Sequence, residues 1–191
     1  MKKINLTPKD WVNAGLKALR NGGPHAVKVE SIAKTLGVSK GSFYWHFSTV
    51  SDLEVAMLKH WSDSATTGII KQSEDGRDKG KQTLQNLARV TSTYLSHQSS
   101  AASRNDAAIR EWARYNSNVA KIVKSVEERR LNFVSNGFEH AGFEPSEARR
   151  LAKALYAALI GLDHLTRLGL AEIDQELPKL LENFLAIKAD K

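Results

Sequence analysis

The chain contains no cysteine. Disulfide scaffolds, thiolate zinc sites and cysteine nucleophiles are thereby excluded. Proline is scarce: Pro8, Pro24, Pro145 and Pro178 are the full set. Nothing between Pro24 and Pro145 therefore breaks a helix through a missing backbone donor. No stretch alternates apolar and polar residues long enough to argue for a sheet. Long hydrophobic runs are also lacking, and the one around Ala154 to Leu162 is about half the ~20 residues that a spanning helix needs. Lys2 and Lys3 open the chain without an apolar segment behind them, so no secretory leader is expected. The expected compartment is the cytoplasm, with no membrane partner.

What is present is a globular composition: 191 residues, 41% apolar and 26% charged. Lys and Arg total 28 against 21 Asp and Glu, a formal net charge of +7. A basic chain favours polyanions, whether nucleic acid, an anionic membrane surface or an acidic ligand. The excess is localised. Residues 1–60 hold nine Lys and Arg against four acids, a net +5, and the other 131 residues carry only +2.

Helical periodicity runs through the whole chain, punctuated by glycines. Thr7, Pro8 and Asp10 open a first helix as N-cap, N1 and first-turn acid. Trp11, Ala14, Gly15, Ala18 and Leu19 form its apolar stripe, and Asn21 to Pro24 stops it. A second helix spans about Val29 to Leu36, with Val29, Ile32, Ala33 and Leu36 apolar. Gly37 fits the left-handed position after it. Ser39 caps a third helix, Lys40 to about Phe47, and Val38 with Phe43 suits a hydrophobic staple. A fourth starts near Thr49 to Asp52 and ends near Gln72. Amphipathic segments follow at Lys81–His97, Ser103–Tyr115, Val119–Ala141, Ser146–Leu168 and Asp174–Lys188. The fold class is all-α: an N-terminal three-helix helix-turn-helix domain over 1–50, and a larger helical domain over 51–191.

The chemistry lies in Val29 to Phe47. Ile32, Leu36, Val38, Phe43 and Phe47 face inward, and Ala33 lets the next helix cross closely. Lys40, Gly41, Ser42, Tyr44, Trp45 and His46 remain outward. Small residues at the helix start let backbone amides approach phosphate. Ser42 suits a base edge, and Tyr44 a phosphate or a thymine methyl. Phe43 and Phe47 are core by their spacing. Tyr44, Trp45 and His46 are consecutive and sweep around the helix, so they cannot all be core. This is the pattern of a recognition helix for a major groove.

The stretch Ile32-Ala33-Lys34-Thr35-Leu36-Gly37-Val38-Ser39-Lys40-Gly41-Ser42-Phe43-Tyr44-Trp45-His46-Phe47, followed by Leu53, resembles the DNA-binding domain of TetR-family transcriptional regulators over about residues 6 to 60. The runs Arg110 to Arg114 and Asn136 to Phe143 are similar to one subgroup of that family. The resemblance implies a homodimer that binds double-stranded DNA at a palindromic operator and usually represses, released by a small-molecule effector where one exists. It implies that Lys28 and the start of the second helix meet phosphate. Lys40, Gly41, Ser42 and Tyr44 would meet bases and backbone, with His46 in support. With Ser39 and Trp45, these make the candidate DNA-binding set. One departure stands out: the family usually carries a phosphate-binding lysine three residues after the phenylalanine, and Val50 stands there. Glu30 is unfavourable beside phosphate if it faces DNA.

In the larger domain, Ala152, Ala154, Ala157, Ala158 and Gly161 put small residues on one side of a helix. Small residues suit close crossing at a two-fold interface, or equally an intrachain core. The family resemblance favours a dimer, with Ala154, Leu155, Ala157, Ala158, Gly161, Leu181, Phe184 and Leu185 as candidate interface residues. Candidate pocket residues are Tyr94, His97, Trp112, Tyr115, Phe133 and Phe138, each of which equally suits a core. The six histidines, His25, His46, His60, His97, His140 and His164, form no ligand-spaced pair. No phosphate-cradling or nucleophile-elbow motif occurs. No enzymatic activity, cofactor or metal is expected. Two other classes stay open on the residues alone: a non-specific basic DNA-binding protein, and a helical protein–protein adaptor.

Overall fold

The computed structural model describes residues 6–74, 78–96 and 101–187. Among them the fold is all-α, with no strand. In chain order the helices are α1 (Pro8–Gly22), α2 (Val29–Leu36), α3 (Lys40–Tyr44), α4 (Val50–Ser62), α5 (Gly68–Ser73), α6 (Lys81–Ser96), α7 (Ala101–Ala113), α8 (Ser117–His140), α9 (Pro145–Arg167) and α10 (Ile173–Ala186). No helix among the described residues is long and apolar enough to cross a membrane.

Two compact units share the chain. The first takes Met1–Asp63 and Arg104–Val123; the second takes Ser64–Ser103 and Lys124–Lys191. In the first, α1 packs on α2 and α4, and α2 on α3. Its fully buried side chains include Trp11, Leu19, Ile32, Phe43, Leu53, Met57 and Trp61. The Trp11 and Phe43 rings meet edge to face at 5.3 Å. Gly15 lies where α1 crosses α4: a Cβ there would sit 2.6 Å from the Met57 sulfur. Trp61 Nε1 donates to the buried Asp106 carboxylate, which also takes Arg110 at 3.2 Å. The core of the second unit gathers Leu84, Phe138, Leu151, Leu155, Ile173 and Leu181 from α6, α8, α9 and α10, with Phe143 from the loop between α8 and α9.

Local chemistry explains most boundaries. Thr7 donates both its backbone N–H and its hydroxyl to Asp10 Oδ2, at 2.8 and 2.7 Å, so one carboxylate closes the start of α1. Gly37 takes φ 69°, ψ 30° after α2, with Val38 N–H donating to Ala33 O at 3.1 Å and Gly37 N–H to Lys34 O at 3.2 Å. That pairing is a Schellman ending, which favours glycine because the left-handed region carries no Cβ cost there.

Three expectations shift. The buried stripe of α1 is Trp11, Val12, Gly15, Leu16 and Leu19, with Ala14 and Ala18 only half-buried. Apolar residues cover a wide arc of this helix, and the packing of α2 and α4 selects the Val12–Leu16 side. Helix α3 ends at Tyr44 rather than near Phe47: His46 and Phe47 N–H both turn back to Phe43 O, and Thr49 already caps α4. The fourth helix does not run unbroken to Gln72. It widens into a π-turn at Asp63–Thr67 before α5. Arg130 of α8 donates to Ala65 O at 3.1 Å and to Thr66 Oγ1 at 2.8 Å within that turn.

Candidate nucleic-acid interface

The outward face of α2 and α3 is built from the inside. Ile32 and Ala33 on α2, and Phe43 on α3, are buried. Phe43 stacks on Phe47 at 5.6 Å and meets Tyr44 edge-on at 5.3 Å. With Phe43 locked in place, its neighbours must point outward, because successive helical residues turn by about 100°. Tyr44 is 63% exposed and Trp45 86% exposed. Lys28, Ser39, Lys40 and Gly41 are also exposed, and Ser42 and His46 are half-buried. All eight candidate contacts thus lie at the surface or its edge. Leu36, Val38 and Phe47 are half-buried rather than fully enclosed.

This surface carries hydroxyl donors, two lysines, a glycine that bares the backbone, and two exposed aromatic side chains, set on a pair of packed helices. Such a set can grip phosphate oxygens and read base edges. Val50 is the first residue of α4 and brings no charge to it. Thr49 and Asp52 close that helix start on each other, with Asp52 N–H donating to Thr49 Oγ1 at 3.1 Å and Thr49 N–H to Asp52 Oδ2 at 2.8 Å.

One member of the site was not legible in its pairing. Glu30, in the first turn of α2, forms an ion pair with Lys40 Nζ at the start of α3. Hydrogen bonding to Lys40 holds the Glu30 carboxyl below the ordinary carboxylate range, helped by the charges of Lys40 and Lys28. The two residues lie ten apart on different helices, and no spacing rule relates them. The tight turn at Gly37 brings them together.

In the second unit a cavity of about 380 Å³ is lined by Glu74, Lys79, Thr83, Phe133, Asn136, Gly137 and His140. Phe133 is the one pocket candidate among these residues. Phe138 is wholly buried in the core and Tyr94 packs against it. Trp112 and Tyr115 belong to the first unit, the former buried and the latter 78% exposed. His97 lies outside the described residues. The rest of the cavity lining had no signal in the sequence, since polar residues on α6 and α8 look like solvated faces. Among the described residues no group of three or more His, Asp or Glu could hold a metal ion.

The candidate interface residues divide. Leu155 and Leu181 are buried in the core of their own unit. Ala158, Phe184 and Leu185 are half-buried, and Ala154, Ala157 and Gly161 are exposed. Core packing takes Leu151, Leu155 and also the small Ala148 and Ala152 of α9, so Ala152 does not share the open side with Ala154, Ala157 and Gly161.

An all-α chain with a paired helix–turn–helix presenting polar and aromatic groups outward belongs to the class of helix-turn-helix DNA-binding proteins. Residues 12–56 match the family model described as bacterial regulatory proteins, tetR family. No curated protein matches the sequence. Solved structures share the fold over nearly the whole length. A TetR transcriptional regulator from Legionella pneumophila is 17% identical, with 95% of this chain and 98% of that one covered and a TM-score of 0.74. SmeT, the repressor of the Stenotrophomonas maltophilia multidrug efflux pump SmeDEF, is 18% identical, with 96% and 90% covered and a TM-score of 0.69. A regulator from Saccharomonospora viridis, solved in complex with choline, is 17% identical, with 93% and 94% covered and a TM-score of 0.72. Residues 12–56 thus carry the tetR-family helix-turn-helix pattern, and the chain as a whole shares the fold of these regulators.

Proposed function

We propose that this protein is a homodimeric, cytoplasmic, non-enzymatic repressor that binds a palindromic operator and is released by a small-molecule effector. Residues 1–50 bind DNA, and residues 51–191 take the effector and hold the dimer. The observation that carries the reading is the outward set on α3: Tyr44 and Trp45 stand exposed beside a wholly buried Phe43. Exposed aromatics cost free energy in water and call for a partner surface. Lys28, Ser39, Lys40, Gly41, Ser42 and His46 flank them with groups suited to phosphates and base edges.

Two observations support the remaining parts. The exposed side of α9 carries Ala154, Ala157 and Gly161, and a Cβ at Gly161 would meet nothing of its own chain within 4 Å. Glycine inside a helix costs about 1 kcal/mol relative to alanine, so a close approach by a second α9 gives it a reason. The cavity of about 380 Å³ falls within the usual size of small-ligand sites, and the S. viridis protein of the same fold was solved with choline. The effector acts by binding one of two dimer states better, drawing the population away from the DNA-competent one.

Selection of bound sequences from random duplex DNA by the purified protein tests this. Enrichment of a palindrome with half-sites spaced by whole helical turns is expected. Uniform recovery of all sequences identifies a non-specific basic DNA-binding protein instead.

A further inference from the structure

We propose that Glu30 is a specificity-determining residue: it turns Lys40 from a general phosphate clamp into a reader of base edges. This rests on the DNA-binding reading of the same surface.

Between Val38 and Val50, Lys40 is the only Lys or Arg. The recognition helix therefore has one permanent positive charge to offer. That charge is taken, because Lys40 Nζ is hydrogen-bonded and ion-paired with Glu30 across the Gly37 turn. Both side chains stand on the outward face, 58% and 72% exposed, so core packing does not dictate the contact. The cations facing Glu30 are Lys40 and Lys28. Lys28 lies just ahead of α2 and remains available to a phosphate.

A lysine on a long flexible stem meets any phosphate it can reach, and each such contact releases counterions regardless of sequence. Binding of that kind needs Lys40 to leave Glu30, and leaves a bare carboxylate beside the polyanion. Base reading carries no such cost. An ammonium has three donors. One stays on Glu30, and two remain for the O6 and N7 acceptors that guanine presents in the major groove. The ion pair thus weakens encounters with random duplex more than it weakens the cognate complex.

The experiment compares the full-length protein with Glu30→Gln, Lys40→Met and the double variant. Each is titrated against a duplex enriched by the selection and a random duplex of equal length, across a salt series. Circular dichroism melts confirm that each variant is folded. Glu30→Gln is expected to bind random duplex about three- to tenfold more tightly at low salt. Its log-affinity against log-salt slope should steepen by about 0.9 per protomer engaged. The enriched duplex should gain less, so the ratio between the two falls. In the Lys40→Met background the Glu30→Gln gain should vanish. An unchanged or weakened affinity for random duplex overturns the proposal. So does a gain that persists without Lys40, since the carboxylate would then act by direct repulsion alone. Failure of the unaltered protein to prefer any duplex removes the regulator reading, and this assignment with it.

Discussion

Phe43 and Tyr44 are adjacent in sequence and opposite in fate, one wholly buried and the other 63% exposed. Truncating each separates stability from function. Phe43→Ala is expected to destabilise the first unit by about 3–5 kcal/mol, the usual cost of emptying an aromatic core position, read by urea unfolding. Tyr44→Ala should leave the melting curve in place and weaken binding to the enriched duplex by about tenfold or more, read by fluorescence anisotropy. Undiminished duplex affinity in that variant removes α3 as the recognition helix. A second residue-scale prediction concerns acid. The Thr7 hydroxyl and backbone N–H hold the Asp10 carboxyl below its ordinary value of 3.8. A carboxylate whose folded pKa is depressed stabilises fully above the unfolded value, and the contribution disappears as pH falls through the folded one. Melting temperatures of the native chain and Asp10→Ala should therefore differ at neutral pH and converge in acid, as pH falls below the ordinary carboxylate value of 3.8 and through the lowered one. A gap that stays constant through the acid range sinks the capping account.

At the scale of elements, the caps and turns were legible because they are local. Thr7-Pro8-Lys9-Asp10 and Leu36-Gly37-Val38-Ser39 state their own geometry, and α2 spans Val29–Leu36 as its apolar period requires. The π-turn after α4 was not legible. It is contacted by Arg130, more than 60 residues away in sequence, whose guanidinium reaches Ala65 O, Thr66 Oγ1 and the Tyr156 hydroxyl at 3.1, 2.8 and 3.1 Å. Removing the donor takes a hydrogen bond from the buried Thr66 hydroxyl and another from the Ala65 carbonyl, which costs about 1–3 kcal/mol for a buried group left unsatisfied. Arg130→Met is therefore expected to lose about that much stability or more by urea titration. Arg130→Lys should recover little, since a single ammonium cannot present the fork of donors that spans these groups. Full stability in Arg130→Met would show that the turn holds its shape without the clamp.

At the scale of the whole molecule, the proposed dimer requires a surface that a second copy can cover. Ala154, Ala157, Ala158, Gly161, Leu165 and Leu168 recur at helical spacing on the less covered side of α9, and Leu165 and Leu168 are 38% and 59% exposed. Gly161→Leu puts bulk into that strip without touching its own chain. The native protein is expected to run as a dimer by light scattering, and the variant to keep a cooperative melt but run as a monomer. A dimer that survives the change places the interface elsewhere.

The amino-acid sequence by itself determined the all-α class, the helix-turn-helix and the outward identity of Tyr44, Trp45 and Lys40. Each of these follows from residues within a turn or two of one another, where backbone sterics, caps and helical period decide. Tertiary structure alone decided that Leu155 and Leu181 serve their own core while Ala157 and Gly161 stay open. It alone decided that Arg130 closes a π-turn and that Glu30 holds Lys40. Those outcomes depend on which helix faces meet across the chain, and periodicity marks a face as apolar or polar without naming its partner.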